Sequence, residues 1–291
     1  MRASVVIPTY NGRDKFPDLL QGLAKQTVKD FETILVIDGS KDDSEQIAKG
    51  RDWGLQDFKV IVQQNKGRAG TRNTGAAAAK TNILIFLDDD IILYEDTIAK
   101  HIAAQQEHDT VVGILEPHNV DSTKEFEHFS AYLNDKWNQE SFYKSSGEVI
   151  YITANNFSIK KSVFDSINGF NAQLRDAEDF DLALRLIDAG HKIYLDDKIH
   201  VGHILQGTFA KYFKRTKEYG KAREHLIQLN PKAAEIFGRN THSIAPYKKP
   251  FFYIFSLKMW AHLADREMLG FIPRKVRFKM YDLMLTANSI F

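Results

Sequence analysis

The sequence contains no cysteine, which excludes disulfides and thiolate metal sites and fits a reducing compartment. It has no long apolar run either. The longest apolar-rich segment, FFYIFSLKMWAHL at 251–263, is interrupted by Lys258 and falls well short of the ~20 residues that a membrane span needs. The opening MRASVVIPTY holds a four-residue apolar window that stops at Pro8. That is too short for the core of a signal peptide, so a cytoplasmic protein is expected. An excess of one charge is also missing. The 39 Lys and Arg stand against 38 Asp and Glu, a net charge of +1, so the basic footprint of a nucleic-acid binder is absent. There is no internal repeat and no low-complexity linker. What remains, 43% hydrophobic and 26% charged over 291 residues, is the composition of a soluble globular protein able to bury one large core, alone or with an appendage.

The first half of the chain alternates in period. Short apolar runs at 4–7, 33–37 (TILVI), 59–63 (KVIVQ) and 82–87 (NILIFL) read as buried strands. Between and after them lie helix-spaced segments at 16–23, about 43–52, about 69–79 and about 95–107. Four such alternations predict an α/β fold, with a mostly parallel sheet covered by helices on both faces. Residues 117–150 lose the alternation and are rich in aromatics, among them Phe126, Phe129, Tyr132, Trp137, Phe142 and Tyr143. A strand is expected at 151–159 and a helix at 177–190 that Gly190 caps. Beyond about residue 205 the chain reads as helical, with breaks at Asn230-Pro231 and around Pro246–Pro250.

Ligands of open α/β sheets bind outside the carboxyl ends of the strands. The segments that follow the four strands are Pro8-Thr9-Tyr10-Asn11-Gly12, Asp38-Gly39-Ser40, Asn65 to Asn73 and Asp88-Asp89-Asp90. The last is the most demanding. Two like charges ~4 Å apart repel by about 1 kcal/mol in water and roughly 4 kcal/mol at an effective dielectric of 20. Three carboxylates abutting a buried strand therefore call for something cationic. They suit Mg2+ or Mn2+, hard ions that take carboxylates, water and substrate phosphates; the alternative is a solvated turn. Asp38 before Gly39 also reads as an ordinary turn residue, and its place on the same edge adds weight to a binding role. NKGRAGTRNTG at 65–75 matches neither common phosphate-loop pattern, but its glycines permit close backbone approach and its arginines suit phosphates. Glu178, Asp179 and Asp181 open a helix, where the dipole favours acids; paired acids are also how a site holds a general base. His203 is a candidate further metal ligand, or a structural histidine.

Taken together and in order, VVIPTYNG (5–12), VIDGSKDDS (36–44), NKGRAGTRNTG (65–75), FLDDD (86–90), ANNFSIKKSVFDSINGFN (154–171), AEDFDLALRLIDAG (177–190) and His203 followed by YFKRTKEYGKAR (212–223) resemble the family 2 glycosyltransferases. The resemblance covers residues 3–223 and implies a GT-A fold with a C-terminal helical extension. It also implies that Thr9, Tyr10 and Asp38 hold the nucleotide, with Pro8, Gly67, Asp89 and Arg72 beside it. Asp88 would contact the ribose or the metal, Asp90 the metal, and His203 the metal or diphosphate. Asp179 matches the catalytic base, with Glu178 next to it. The chain departs from the family pattern at Asn168-Gly169, where two glycines are usual, at Asn171, where an acid is usual, and at Ile91, where a fourth acid of the metal motif can fall. Asn155-Asn156 suggest hydroxyl contacts on the acceptor side.

The resulting expectation is a catalytic domain over 1–205, with 1–110 binding the nucleotide sugar and 111–205 the acceptor, and a helical region over 206–291. Its activity would be metal-dependent (Mn2+ or Mg2+) inverting transfer from a nucleotide sugar, by resemblance a UDP-sugar, to a hydroxyl of a glycan or lipid-linked acceptor. The rivals are a sugar-nucleotide nucleotidyltransferase, which would want a glycine-rich loop where Pro8-Thr9 stand, and an inactive carbohydrate-binding protein. The expected partners are donor and acceptor without nucleic acid, with a homodimer and peripheral contact at the inner face of the membrane as further options. A membrane contact would use Phe252, Phe255, Met259 and Leu263 with Arg274, Lys275, Arg277 and Lys279; the alternative is that this stripe packs within the protein.

Overall fold

The computed structural model describes residues 2–121, 123–137, 146–204, 207–237 and 245–291; of the aromatics noted above, Phe142 and Tyr143 lie outside these. The expected alternation is present: β1 (Ala3–Thr9), α1 (Phe16–Ala24), β2 (Phe31–Asp38), α2 (Ser44–Lys49), β3 (Phe58–Gln63), α3 (Gly67–Ala78) and β4 (Ile83–Leu87). The chain continues through β5 (Ile91–Leu93), α4 (Thr97–Ala104), β6 (Thr110–His118) and α5 (Glu125–Trp137). Next come β7 (Gly147–Val149), β8 (Asn156–Lys160), α6 (Lys161–Ser166), α7 (Glu178–Asp188) and β9 (Ile193–Ile204). The described residues form two compact units, one within Met1–His118 and Asn138–Ile204, the other within Asn119–Trp137 and Leu205–Phe291.

The first unit is a mixed α/β domain on one sheet, ordered β3-β2-β1-β4-β8-β6-β9-β5 with β7 against β9. Strands β1 to β4 are mutually parallel, as the buried runs predicted. Beyond β4 the sheet becomes mixed, because β8 runs antiparallel to both of its neighbours. Only Asp88-Asp89-Asp90 separate β4 from β5, too few for the crossover of a dozen or more residues that a parallel neighbour requires. β5 does not pair with β4 but lies antiparallel to β9, with Ile91 opposite His203. Alternate strand residues supply two cores. Val6, Leu84, Phe86 and Phe157 pack with Leu182 and Leu186 of α7 on one face. Val5, Ile7, Ile85 and Leu87 pack with Phe16, Leu19, Leu20 and Leu23 of α1 and Ile98 of α4 on the other. The strand expected at 151–159 begins only at Asn156. Helix α7 ends as expected: Gly190 sits at φ 83 and the amides of Gly190 and His191 close on the carbonyls of Ile187 and Leu186.

The second unit is helical. It comprises α5, α8 (Phe209–Leu229), α9 (Lys232–Phe237), a 3-10 turn at Pro246–Lys248, α10 (Lys249–Phe255), α11 (Lys258–Asp265) and α12 (Arg274–Ile290). Phe129 of α5 packs with Phe209, Phe213, Phe278, Tyr281 and Met284. Glu125 accepts from Arg277 at 2.5 Å with Arg274 at 3.6 Å, and Lys136 pairs with Asp282 at 2.6 Å. Of the apolar stripe noted at 252–263, Phe255 and Leu263 pack on this core while Met259 is exposed; of the basic residues beyond it, Arg277 is held by Glu125.

Candidate active site

The three aspartates after β4 are each met by other side chains, with Lys15 shared by two of them, and this is how the chain tolerates them. Asp88 Oδ1 accepts from Arg72 at 2.6 Å. Asp89 is buried, accepts from the Thr9 hydroxyl at 2.6 Å and lies 3.6 Å from the Lys15 ammonium. Asp90 lies 3.3 Å from Lys15 and 3.7 Å from Nε2 of His203. The cations expected to offset the repulsion are thus side chains of the protein itself. Burial pushes the Asp89 carboxyl up to about 6, against the opposing pull of Lys15. For Asp90 burial acts upward too, but His203 and Lys15 outweigh it and hold the carboxyl down at about 2. Lys15 is a site residue that sequence reasoning passed over. Nothing local marks it; it stands before α1 and meets the acids only because β1 and β4 are neighbours.

Arg72 is the hub. It lies inside α3, within the helix expected over about 69–79, with its side chain 3% exposed. One terminal nitrogen binds Asp88 and the other binds Glu178 at 2.7 Å. Burial alone would lower its pKa, but the two carboxylates reverse the shift and keep the guanidinium charged. Helix α3 starts as early as Gly67 because Asp38 secures its first turn. Asp38 Oδ1 accepts from the Lys66 amide at 2.8 Å and from Gln63 Nε2 at 2.7 Å, and Oδ2 from the Gly67 amide at 2.9 Å. Its carboxylate is therefore already engaged in shaping the β3–α3 connection. Pro8 and Thr9 belong to the end of β1, Thr9 buried and committed to Asp89, while Tyr10 is 49% exposed. Gly12 has no room for a side chain: a Cβ there would collide with the Thr9 hydroxyl and Asp89 Oδ2.

On the same face of the sheet as α3, α7 presents Glu178, Asp179 and Asp181. Ala177, immediately before it, sits at φ 65, a left-handed conformation that a non-glycine residue holds only at a cost. Asp179 accepts from the Phe180 amide at 2.9 Å. Burial pushes its carboxyl up to about 7, the charge of Glu178 adds to this, and Arg72 opposes it. Asp181 is taken by Arg185 at 2.7 Å. A second link joins the same two segments: Arg68 of α3 reaches Asp176 at 3.1 Å, a pair that sequence reasoning missed. The loop before α7 explains the departures from the family pattern. Asn168 and Gly169 both sit at positive φ (61 and 63), and Asn is the residue after Gly that best tolerates that region. Asn171 Oδ1 accepts from the Gln173 amide at 3.0 Å, the turn that an acid would otherwise close. Asn156 is buried between His101 Nε2 (2.9 Å) and the Ile114 carbonyl (3.2 Å), so it braces the sheet instead of facing an acceptor.

Residues 4–177 match the family model described as glycosyl transferase family 2. The chain belongs to that family. A glycosyltransferase of Haemophilus influenzae that has not been characterised is 29% identical over 191 residues, 63% of this chain and 61% of that relative, so the match spans under two thirds of the relative's own length. The O-antigen chain rhamnosyltransferase RfbN of Salmonella typhimurium is 26% identical over 236 residues, covering 76% of this chain and 72% of RfbN. Among solved structures, the mannosyltransferase PcManGT of Pyrobaculum calidifontis, in complex with GDP-Man and Mn2+, aligns with a TM-score of 0.66 at 16% identity over 99% of this chain and 86% of its own. Staphylococcus aureus TarS residues 1–349 with UDP-GlcNAc aligns at 0.59 and 19% identity, covering 99% and 90%. These similarities establish the GT-A fold of the glycosyltransferase.

Among the described residues of the transferase, no three His, Asp or Glu side chains converge as a ready-made metal cluster. A hard divalent ion at a diphosphate does not need one, since it is held by one or two protein donors plus waters and substrate phosphates. Asp90 and His203 fit that demand: an ionised carboxylate and an imidazole nitrogen 3.7 Å apart, both partly open to solvent. The pairing of β5 with β9 places them, and sequence distance hides it. Asp88, the other expected ligand, is engaged by Arg72 through Oδ1.

Proposed function

We propose that this family 2 enzyme is an inverting glycosyltransferase that moves a sugar from a nucleotide sugar, UDP-linked, to a hydroxyl of a glycan or lipid-linked acceptor in polysaccharide or cell-surface glycan synthesis. The observation that carries the reading is the Asp88–Arg72–Glu178 bridge, which ties the carboxylates at the end of β4 to the start of α7, where Asp179 sits. Donor site and base are thereby parts of one constellation. In the proposed reaction the acceptor hydroxyl gives its proton to the Asp179 carboxylate. Its oxygen bonds to the anomeric carbon from the face opposite the diphosphate, the bond from that carbon to the diphosphate oxygen breaks, and configuration inverts. A carboxyl poised at about 7 is well matched to a general base at neutral pH.

Thr9, Tyr10, Pro8, Gly67 and Asp38 frame the nucleotide in this proposal, Thr9 and Asp38 through the loops they brace and Tyr10 through its exposed ring. Arg72 acts as a positioning residue that holds Asp88 and Glu178. Mn2+ or Mg2+ held by Asp90 and His203 would stabilise charge building on the leaving diphosphate. Residues 1–205 are taken as the catalytic part, apart from 119–137, which pack with the C-terminal helices. The rhamnosyltransferase relative and the UDP-GlcNAc and GDP-Man complexes support a nucleotide-sugar donor, and the absence of cysteine fits a cytoplasmic setting. A thermal-shift screen of nucleotide sugars with and without Mn2+ tests the reading. A true donor at 100 times its Kd adds roughly 2.7 kcal/mol to the stability of the folded state. Asp90→Ala is expected to remove the Mn2+-dependent part while leaving the ligand-free protein folded. If no nucleotide sugar stabilises the wild type with Mn2+, the donor assignment fails; if Asp90→Ala keeps the full Mn2+ effect, the metal assignment fails.

A further inference from the structure

The helical unit carries an apolar surface that its own core does not use. Of the sixteen exposed large apolar side chains among the described residues, ten lie between 247 and 291. Helix α10 is the extreme case: its sequence is KPFFYIF, yet none of its residues is buried. Phe251, Tyr253 and Ile254 are each at least half exposed, as are Tyr247 just before the helix, Met259 in α11 and Phe271 in the loop before α12, the last at 84%. Ring contacts join Phe251 to Phe252 and to Phe255, and Phe255 to Trp260, so the surface continues from α10 into α11. A hydrophobic helix with no buried residue is not explained by the fold of this unit.

The charge around it is mostly of one sign. Residues 245–291 hold eight Lys and Arg against three Asp and Glu. The acids are partly engaged elsewhere: Asp282 pairs with Lys136, and Asp265 accepts from the Ala210 amide. Arg277 and Arg274 are matched by Glu125 of α5. Among the remaining six, Lys248, Lys249, Lys258 and Lys275 are exposed lysines with no ion pair among the described residues. Three of the four lie on or next to α10 and the start of α11.

We infer that α10 and the adjoining start of α11 form a docking surface for an anionic lipid bilayer, on which Phe251, Tyr253 and Ile254 enter the headgroup boundary while Lys248, Lys249 and Lys258 meet the lipid charges. Charge complementarity selects this occupant. An apolar face ringed by unpaired lysines matches a surface that is apolar beneath and negative above, with aromatic rings at the boundary between them. Among the described residues no helix is long and apolar enough to cross a membrane, so the contact is peripheral. The inference rests on the helical unit alone and stands whether or not the donor assignment holds.

Flotation of the full-length protein with vesicles tests it, without reference to enzyme activity. The wild type is expected to float with phosphatidylcholine–phosphatidylglycerol vesicles, far less with phosphatidylcholine alone, and progressively less as salt is raised. Lys248→Glu with Lys249→Glu should lower partitioning by roughly tenfold or more, since each cation near such a surface contributes several-fold. Phe251→Ser with Ile254→Ser should lower it comparably through the apolar arm. All four positions are exposed, so unchanged melting temperatures are expected and confirm that folding is intact. Absence of flotation by monodisperse wild type overturns the inference, as does flotation that neither double variant reduces. A wild-type dimer that Phe251→Ser with Ile254→Ser converts to monomer, with no vesicle binding, would show that a second copy covers this face instead.

Discussion

At the scale of single residues, the site is organised by which carboxylates are matched by a cation and which are not. Asp88 and Glu178 share Arg72, Asp90 has Lys15 and His203, and Asp179 has no ion pair among the described residues. The unmatched group is the one whose proton affinity rises into the neutral range. Asp179→Asn keeps the shape and removes the proton acceptor. Turnover is expected to fall by roughly 10²–10⁴-fold with donor affinity nearly unchanged. Steady-state kinetics alongside donor titration check this, and wild-type turnover in the variant would move the base elsewhere. Arg72→Gln leaves two carboxylates facing each other across a buried gap. Removing one partner of a buried ionic cluster costs about 3–5 kcal/mol, so urea denaturation should show a loss of that order. A loss below about 1 kcal/mol would mean that Asp88 and Glu178 find water or each other's protons instead.

Elements place these groups through backbone conformation as much as through packing. The turn at Asn168-Gly169 feeds the chain from α6 toward α7. It is clamped by Asn73, whose side chain both accepts from the Phe170 amide (2.9 Å) and donates to its carbonyl (2.8 Å). Positive φ at Asn168 makes a sharp element-level prediction. Asn168→Gly should stay within about 1 kcal/mol of wild type, because glycine enters that region freely. Asn168→Val should cost about 1–3 kcal/mol, because a β-branched residue does not. Thermal denaturation of the pair separates backbone strain from lost hydrogen bonding; equal losses would refute the conformational explanation. Strand β4 works differently. Its residues are anchored on both faces, and Phe86 alone stacks on Phe157 at 4.9 Å and meets Phe164 and Phe170 edgewise or tilted. The acids that follow β4 thus start from a rigid base.

For the whole molecule, opposed titrations shape stability against pH. Asp179 and Asp89 have folded-state pKa values raised to about 7 and about 6, so the folded form binds protons that the unfolded chain has already released. Their effect on stability declines as pH rises from about 4 through those values. His101 acts in the opposite sense. Burial holds its imidazole down to about 4, so stability is lost as pH falls from about 6.5 toward 4. The windows overlap, and because two carboxylates oppose one imidazole, the net contribution of these groups falls as pH rises from about 4 to about 7. Asp179→Asn removes one of the two carboxylate contributions. Its gain in melting temperature over wild type should be greater at pH 8 than at pH 5, read by calorimetry of the ligand-free protein. Equal gains at both values would mean that Asp179 is not held protonated in the folded state.

The sequence alone determined the class of fold, the family and the edge of the sheet that carries the candidate site. Each of these is a local property: continuous apolar runs make buried strands, helix-spaced apolar residues make the layers over them, and the residues after each strand end must share one edge. The Gly190 cap was legible for the same reason. Pairing across the chain was not. Lys15 beside Asp89 and Asp90, Arg72 between Asp88 and Glu178, and His203 opposite Ile91 depend on strand order and register, which the sheet settles as a unit. The spread of the three aspartates among Arg72, Thr9, Lys15 and His203 also followed from the tertiary fold, because a carboxylate's partner is whichever cation or donor the packing brings within a few ångströms. Periodicity indicates which residues are buried or lie on one edge. Only the closed sheet decides which of them touch.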